Sequence, residues 1–163
     1  MPDVKLPLPF EAYTGKEPYI FVSYAHTDGI AVFNEITELH KRGYRIWYDE
    51  GIDPGNEWPE EIAKALDQSA CFLVFISAAA VQSKNVRNEI NFALNKRKTF
   101  LAIYLEEVKL PPGLELIMGS TQAILKWRMT NEHYWRKIEK TLGEETRNTA
   151  EAEFRSAKDS EIP

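Results

Sequence analysis

The chain has 163 residues, 44% of them hydrophobic and 28% charged, which is typical of one globular domain with a sizeable core and not of a disordered chain. The formal net charge of −5 gives no electrostatic reason to expect nucleic acid or an anionic membrane as a partner. A single cysteine, Cys71, excludes an internal disulfide framework and a thiolate metal site.

The first ten residues, MPDVKLPLPF, lack the basic start and apolar core of a signal peptide. The longest apolar run, 70–81, is too short for a transmembrane helix of about 20 residues. We therefore expect a cytoplasmic chain with no membrane partner.

Hydrophobic periodicity and turn residues divide the chain into alternating strands and helices. In chain order they predict a strand at 19–23, a helix from 28 to 42, a strand at 44–48, a loop at 49–58, a helix opening at Pro59, a strand at 70–76, a helix at 83–94, a strand at 99–105, a short helix after 111–113, a strand at 121–126 and a helix at 130–142.

Five strands that alternate with helices predict a doubly wound α/β fold with a mostly parallel sheet. The run at 70–76 is continuously apolar, which is typical of a strand buried on both faces. Residues 1–17 carry three prolines and no periodicity, so we expect a leader or linker there. The small and charged residues of 143–163 predict a flexible tail.

Ligands of such sheets bind beyond the carboxyl ends of the strands. Those ends carry Ser23 and Tyr24 with His26, then Asp49 with Glu50, then Ser77, then Glu106. The chain has no glycine-rich phosphate loop after the first strand, no nucleophile elbow and no ligand spacing among its three histidines. We expect neither a metal nor a bound cofactor.

One carboxylate near this edge needs an explanation. In the helix at 83–94, Val86, Ile90 and Ala93 form an apolar stripe, and Glu89 lies on the border of that stripe instead of the solvated face. From helix position alone, Glu89 is more simply a structural carboxylate paired with Arg87, Lys84 or a backbone amide.

Several short motifs occur in the order and spacing of a TIR (Toll/interleukin receptor) domain. They are FVSY at 21–24, WYD at 47–49 followed by DPG at 53–55, the apolar strand ending at Ser77, and VRNEI at 86–90. The chain from 18 to 142 resembles a bacterial TIR domain. The resemblance implies a flavodoxin-like three-layer fold, with a five-stranded sheet between layers of helices.

Many bacterial TIR domains cleave NAD⁺ at the nicotinamide–ribose bond with a glutamate on the helix after the third strand, and Glu89 matches that glutamate. The resemblance thus makes NAD⁺ a substrate, with ADP-ribose or a cyclic isomer as product. It implies a place in antiphage defence or signalling and a downstream effector that senses the product. Residues with an implied role in substrate binding are Ser23, Tyr24, His26, Trp47, Asp49 and Asn85.

The loop after Asp49 matches the family's BB loop, which packs against a neighbouring subunit in active assemblies. Self-association through TIR–TIR contacts is therefore expected, with Asp53, Pro54, Gly55 and Trp58 at the contact. A turn alone is the simpler interpretation of the DPG triplet. Several family enzymes carry an aromatic residue or cysteine four positions before the glutamate, whereas this chain has Asn85, which hydrogen-bonds but stacks poorly.

Two other functions fit the same residues. A non-enzymatic interaction module, or a mimic of host signalling adaptors, needs the BB loop but not Glu89. A nucleoside deoxyribosyltransferase-like enzyme also uses a glutamate in a related layout, and transfer between nucleosides would distinguish it.

Overall fold

In the computed structural model, residues 7–50 and 59–148 are described, and they form a five-stranded sheet with helices on both faces. The strands lie in the order β2-β1-β3-β4-β5, and every paired strand among the described residues is parallel. The strand bounds are β1 Ile20–Ser23, β2 Ile46–Tyr48, β3 Cys71–Ile76, β4 Thr99–Tyr104 and β5 Gln122–Leu125.

Helices connect successive strands, as parallel pairing requires. Their bounds are α1 Gly29–Lys41, α2 Pro59–Gln68, α3 Ala78–Gln82, α4 Lys84–Asn95, α5 Pro112–Met118 and α6 Asn131–Leu142. Short 3₁₀ turns occupy His26–Asp28 and Lys126–Arg128. No helix in the described part of the chain has the length and hydropathy needed to cross a bilayer.

Apolar side chains fill both faces of the sheet. On one face, α1 contributes Val32, Ile36 and Leu39, and α6 contributes Tyr134 and Ile138. On the other face, the core includes side chains from α2, α4 and α5. All six residues of β3 are buried, which confirms that 70–76 contains a strand covered on both sides.

A buried charge also joins α1 to α6. Glu35 of α1 accepts a hydrogen bond from the Tyr134 hydroxyl at 3.0 Å and forms an ion pair with Lys126 after β5. Because both carboxylate oxygens have partners, the cost of burying this charge is largely offset.

The structure differs from the prediction in the start of β2 and in an additional helix before α4. The strand predicted at 44–48 begins at Ile46, because Tyr44 forms an isolated antiparallel bridge with Arg147 instead of joining the parallel sheet. A separate helix, α3, precedes α4, because Ser77 and Ser83 each cap a new helix by accepting a backbone N–H bond.

Asp28 directly precedes α1 and is its N-cap residue. Its carboxylate makes no capping bond and instead accepts a hydrogen bond from the Ser77 hydroxyl. A contact between the turn that follows β1 and the residue that follows β3 has therefore replaced a local helix cap.

Chain segments outside the predicted domain, 18–142, also contact the sheet. Residues 143–148 are held by the bonds Arg45 N–H to the Thr146 carbonyl, at 2.9 Å, and Asn148 N–H to the Gly43 carbonyl, at 2.8 Å. Before β1, Tyr13 N–H donates to the Ile46 carbonyl at 2.8 Å. The division at 17 and 143 stays a prediction, and residues 1–6 and 149–163 lie outside the described residues.

Gly43 ends α1 with φ of +96°, a backbone conformation that costs an L-residue about 1–2 kcal/mol. Its N–H donates to the His40 carbonyl and the next N–H to that of Leu39, as in a Schellman motif. We expect Gly43→Ala to lower the free energy of unfolding by about 1–2 kcal/mol in urea titrations. The matched control is Gly113→Ala in α5, where a Cβ meets its nearest atom at 3.7 Å. Equal stability of the two variants would contradict this account.

Candidate functional site

Two consecutive residues at the end of β1 hold groups from other elements. Ser23 is buried, and its hydroxyl donates to Glu89 Oε1 at 2.7 Å. The Tyr24 hydroxyl donates to the backbone carbonyl of Asp49 at 2.8 Å, which fixes the end of β2 against β1. The strand ends therefore meet at the edge that the topology predicted.

Glu89 reaches this edge because of the way α4 packs. Val86, Ile90 and Ala93 bury one face of the helix against the sheet, and Glu89 is partly buried at the border of that face. Ser83 begins the helix and accepts a bond from the Val86 N–H at 3.2 Å. The predicted partners of a structural carboxylate, Arg87 and Lys84, form no ion pair with Glu89 in this arrangement.

Burial raises the pKa of the Glu89 carboxyl to about 7. The hydrogen bond from Ser23 opposes this rise, the negative charge of Asp49 adds to it, and the charge of His26 reduces it. At neutral pH the carboxyl therefore lies close to its midpoint, where both its ionised and its protonated forms are populated.

Asp49 and His26 form the opposite wall. His26 Nε2 lies 3.2 Å from Asp49 Oδ2, and this hydrogen bond is the main cause of a raised His26 pKa, against the opposing effect of burial. Burial also raises the pKa of the Tyr24 hydroxyl, so Tyr24 stays a neutral donor at ordinary pH.

These groups surround a cleft of about 170 Å³ at the carboxyl edge of the sheet. The described residues that line it are Phe21, Val22, Tyr24, His26, Asp49, Ser83, Asn85 and Glu89. Small-molecule pockets usually measure about 300–1,000 Å³, so a dinucleotide bound here would extend beyond this cleft.

The structure brings most of the predicted site residues together. Five line the cleft, namely Tyr24, His26, Asp49, Asn85 and Glu89, and Ser23 reaches it through Glu89. Trp47 does not line the cleft; its ring stacks on Phe21 with centroids 4.9 Å apart, one layer behind the wall. The predicted assembly residues, Asp53, Pro54, Gly55 and Trp58, lie outside the described residues.

The cleft is also lined by Ser83 and by the β1 residues Phe21 and Val22, which were not predicted as site residues. Serine directly before a helix signals an N-cap, so the start of α4 could have been placed at the edge from that signal. Among the described residues, no three His, Cys, Asp or Glu side chains lie close enough together to hold a metal ion.

A parallel α/β sheet with a polar cleft at its carboxyl edge defines a doubly wound binding or catalytic domain. The family model of the TIR domain matches residues 20–142, and the chain belongs to that family. Comparison with curated proteins gives no significant match.

Among solved structures, the chain is similar to the TIR domain of the Toll-related receptor TRR-2 from the lower metazoan Hydra magnipapillata. The TM-score is 0.62 over 76% of this chain and 98% of that one. Sequence identity is 18%, so this likeness concerns the fold, and it confirms the flavodoxin-like arrangement of a parallel sheet flanked by helices.

Because the pKa of Glu89 is raised in the folded state, ionising it above pH 7 opposes folding, whereas a protonated Glu89 does not. We expect Glu89→Gln to raise the free energy of unfolding by about 1–3 kcal/mol at pH 8.5, after allowance for solvent screening of a partly exposed group, and by much less near pH 4.5. Thermal unfolding of both proteins at the two pH values measures this. A gain that is the same at both pH values would contradict the raised pKa.

Proposed function

We propose that this TIR domain is an NAD⁺ glycohydrolase of the bacterial type, which releases nicotinamide from NAD⁺ and leaves ADP-ribose or a cyclic isomer. The observation that carries the proposal is the Glu89 carboxylate, partly buried in a polar cleft and held by Ser23. The chain belongs to the TIR family, and the resemblance implies that family enzymes of this kind use a glutamate at the position of Glu89, which supports the proposal.

The chemistry explains why one carboxylate is enough. Most glycosidases need a second acid to protonate the leaving oxygen. In NAD⁺ the leaving group is a cationic pyridinium, which departs as neutral nicotinamide and needs no proton. The positive charge then develops on the ribose ring, where an ionised Glu89 would stabilise it more in the transition state than in the ground state.

Magnitudes favour a carboxylate in this setting. Two unit charges 4 Å apart interact with about 4 kcal/mol at the effective dielectric of a protein surface, and with about 1 kcal/mol in water. Because Glu89 is partly buried, its interaction with a nearby charge lies closer to the protein-surface value than to the value in water. A fully solvated glutamate on the outer face of α4 would contribute far less.

The rest of the cleft suits the sugar and phosphate parts of such a substrate. The N-terminus of α4 carries Ser83 and Asn85 at the cleft, and the positive end of the helix dipole favours phosphate there. Asn85 offers an amide to a ribose hydroxyl or a phosphate oxygen, in place of the stacking ring of some relatives. His26 adds an imidazole whose pKa is raised, chiefly by its hydrogen bond to Asp49.

The cleft is smaller than a dinucleotide needs, which supports a site that a second copy of the chain completes. We place Asp53, Pro54, Gly55 and Trp58 in that contact, as the resemblance implies. The proposal further places the enzyme in the cytoplasm, in antiphage defence or signalling, with a downstream effector that binds the product.

The test is nicotinamide release from NAD⁺ by concentrated protein. We expect Glu89→Gln to lower kcat/KM by about 100-fold or more, as loss of a preorganised electrostatic group does. The matched control is Glu106→Gln, because Glu106 lies at the same sheet edge, bonded to Ala78 N–H at 3.3 Å, but does not line the cleft. Equal rates for wild type and Glu89→Gln would refute the role of Glu89.

The pH dependence follows from the same carboxyl. Glu89 must be ionised to stabilise the developing cation, so kcat/KM should rise with pH through a midpoint near 7, the pKa of the free enzyme. Bound pyridinium favours the ionised form, so the midpoint for kcat should lie lower. Steady-state rates between pH 5 and 9 measure both, and a rate that falls as pH rises through 7 would assign Glu89 the opposite role.

A non-enzymatic interaction module is the second candidate, and the likeness to the TIR domain of a Toll-related receptor favours it. This candidate predicts different effects for substitutions in 53–58 and for a substitution of Glu89. Substitutions in 53–58 should abolish binding to a TIR partner, while Glu89→Gln leaves that binding unchanged and no preparation releases nicotinamide.

A further inference from the structure

The segment before β1 is bonded along the outer edge of the sheet. Tyr13 N–H donates to the Ile46 carbonyl at 2.8 Å, and Ala12 N–H donates to Glu50 Oε1 at 2.6 Å. We call residues 10–13 the strap. Because β2 is an edge strand, the strap covers backbone groups that would otherwise face solvent.

Phe10 anchors the strap at its other end. Its carbonyl accepts a hydrogen bond from the Tyr48 hydroxyl, and its ring stacks on His40 with centroids 4.1 Å apart and an interplanar angle of 8°. The same ring meets Tyr48 edge-on at 5.2 Å. Tyr48 is the last residue of β2 and directly precedes Asp49 of the cleft wall.

From Phe10, ring contacts continue without a gap to the cleft. Tyr48 meets Phe33 at 5.8 Å, Phe33 meets Tyr24 at 6.0 Å, and Tyr24 meets His26 at 5.4 Å between centroids. All these separations fall within the range of attractive aromatic pairs. Because rings in contact leave little free volume between them, a shift of one ring displaces the next.

The chain of rings and the end of β2 converge on one pair of side chains. His26, the last ring, lies 3.2 Å from Asp49 Oδ2, and the Tyr24 hydroxyl holds the Asp49 carbonyl. Phe10 is therefore linked indirectly to this pair by two routes, through the rings and through the backbone step from Tyr48 to Asp49.

We propose that the strap is a positioning device for the cleft: docking of Phe10 on Tyr48 sets the geometry of the Asp49–His26 wall. A partner that binds residues 10–13 and lifts Phe10 from its seat loosens that wall and weakens ligand binding in the cleft. Binding at the outer edge of the sheet is thereby coupled to the site beyond the strand ends.

Histidine resonances test the proposal without any substrate. The chain has three histidines, of which His40 reports Phe10 docking, His26 reports the wall, and His133 on α6 is an exposed reference. In NMR pH titrations of the wild type, we expect a ring-current shift for His40 and a His26 midpoint above the ordinary histidine value. The groups that face His26 are Asp49, which follows β2, Glu89 on α4 and Tyr24, which follows β1.

Phe10→Leu should abolish the His40 ring-current shift and move the His26 midpoint down toward the ordinary histidine value. Phe33→Leu, which breaks the ring chain in its middle, should move His26 while leaving the His40 shift in place. The double variant should displace His26 by less than the sum of the two, as coupled residues do. Tyr13→Leu is the matched control, because its ring contacts Tyr19 and takes no part in the chain.

An unchanged His26 midpoint in Phe10→Leu, with the His40 shift lost, would overturn the proposal. So would a wild type without the His40 shift, because Phe10 would then not be docked. Phe10→Leu decides the question even if Phe33→Leu fails to fold.

The consequence for catalysis rests on the proposed function. If the chain cleaves NAD⁺, Phe10→Leu should raise KM several-fold while kcat changes little, and Tyr13→Leu should match wild type. A Phe10→Leu KM equal to that of wild type, in a preparation that releases nicotinamide, would overturn the coupling and leave the glycohydrolase intact. A wild type that releases none would refute the glycohydrolase alone, since the histidine titrations stand without it.

Discussion

Burial of β3 on both faces is the constraint on which the rest of this structure depends. Its six apolar residues, 71–76, can be covered only if helices pack on each side of the sheet, and helical crossovers in turn make the neighbouring strands parallel. All strands then end at one edge. Polar side chains that follow the strands therefore come close together at that edge.

The Ser23–Glu89 hydrogen bond at the carboxyl edge of the sheet is a consequence of that constraint. Ser23 is buried at the end of β1, and α4 must pack its Val86, Ile90 and Ala93 face on the sheet. Together these requirements bring a carboxylate to a partly dry position beside a hydroxyl donor. Burial raises the pKa of the Glu89 carboxyl, and the same burial strengthens its interaction with a developing positive charge.

Local pattern was enough to predict the order of strands and helices, because β-rich apolar runs and the period of α4 are strong signals. It failed where distant residues compete for the same backbone. Tyr44 pairs with Arg147, more than a hundred positions away, and Asp28 bonds Ser77 instead of its own helix. No window of neighbouring residues contains that information.

The site shows the same division. Tyr24, His26 and Asp49 were predicted at the edge because each follows a strand. Trp47 was assigned to substrate binding by resemblance, yet in the structure its ring lies behind Phe21. Alternation along a strand predicts which residues share a face of the sheet. It does not predict which of those side chains reach the cleft, because that depends on packing between elements, as in the stacking of Trp47 on Phe21.

The central claim is that Glu89 is a partly buried carboxylate placed to meet a cationic substrate. Carboxyl ¹³C NMR of Glu89, titrated with and without nicotinamide riboside as a cationic probe, tests it most directly. This account predicts a midpoint near 7 in the free protein and a lower midpoint when the probe is bound. A midpoint at the usual glutamate value of about 4.3, unmoved by the probe, would contradict it.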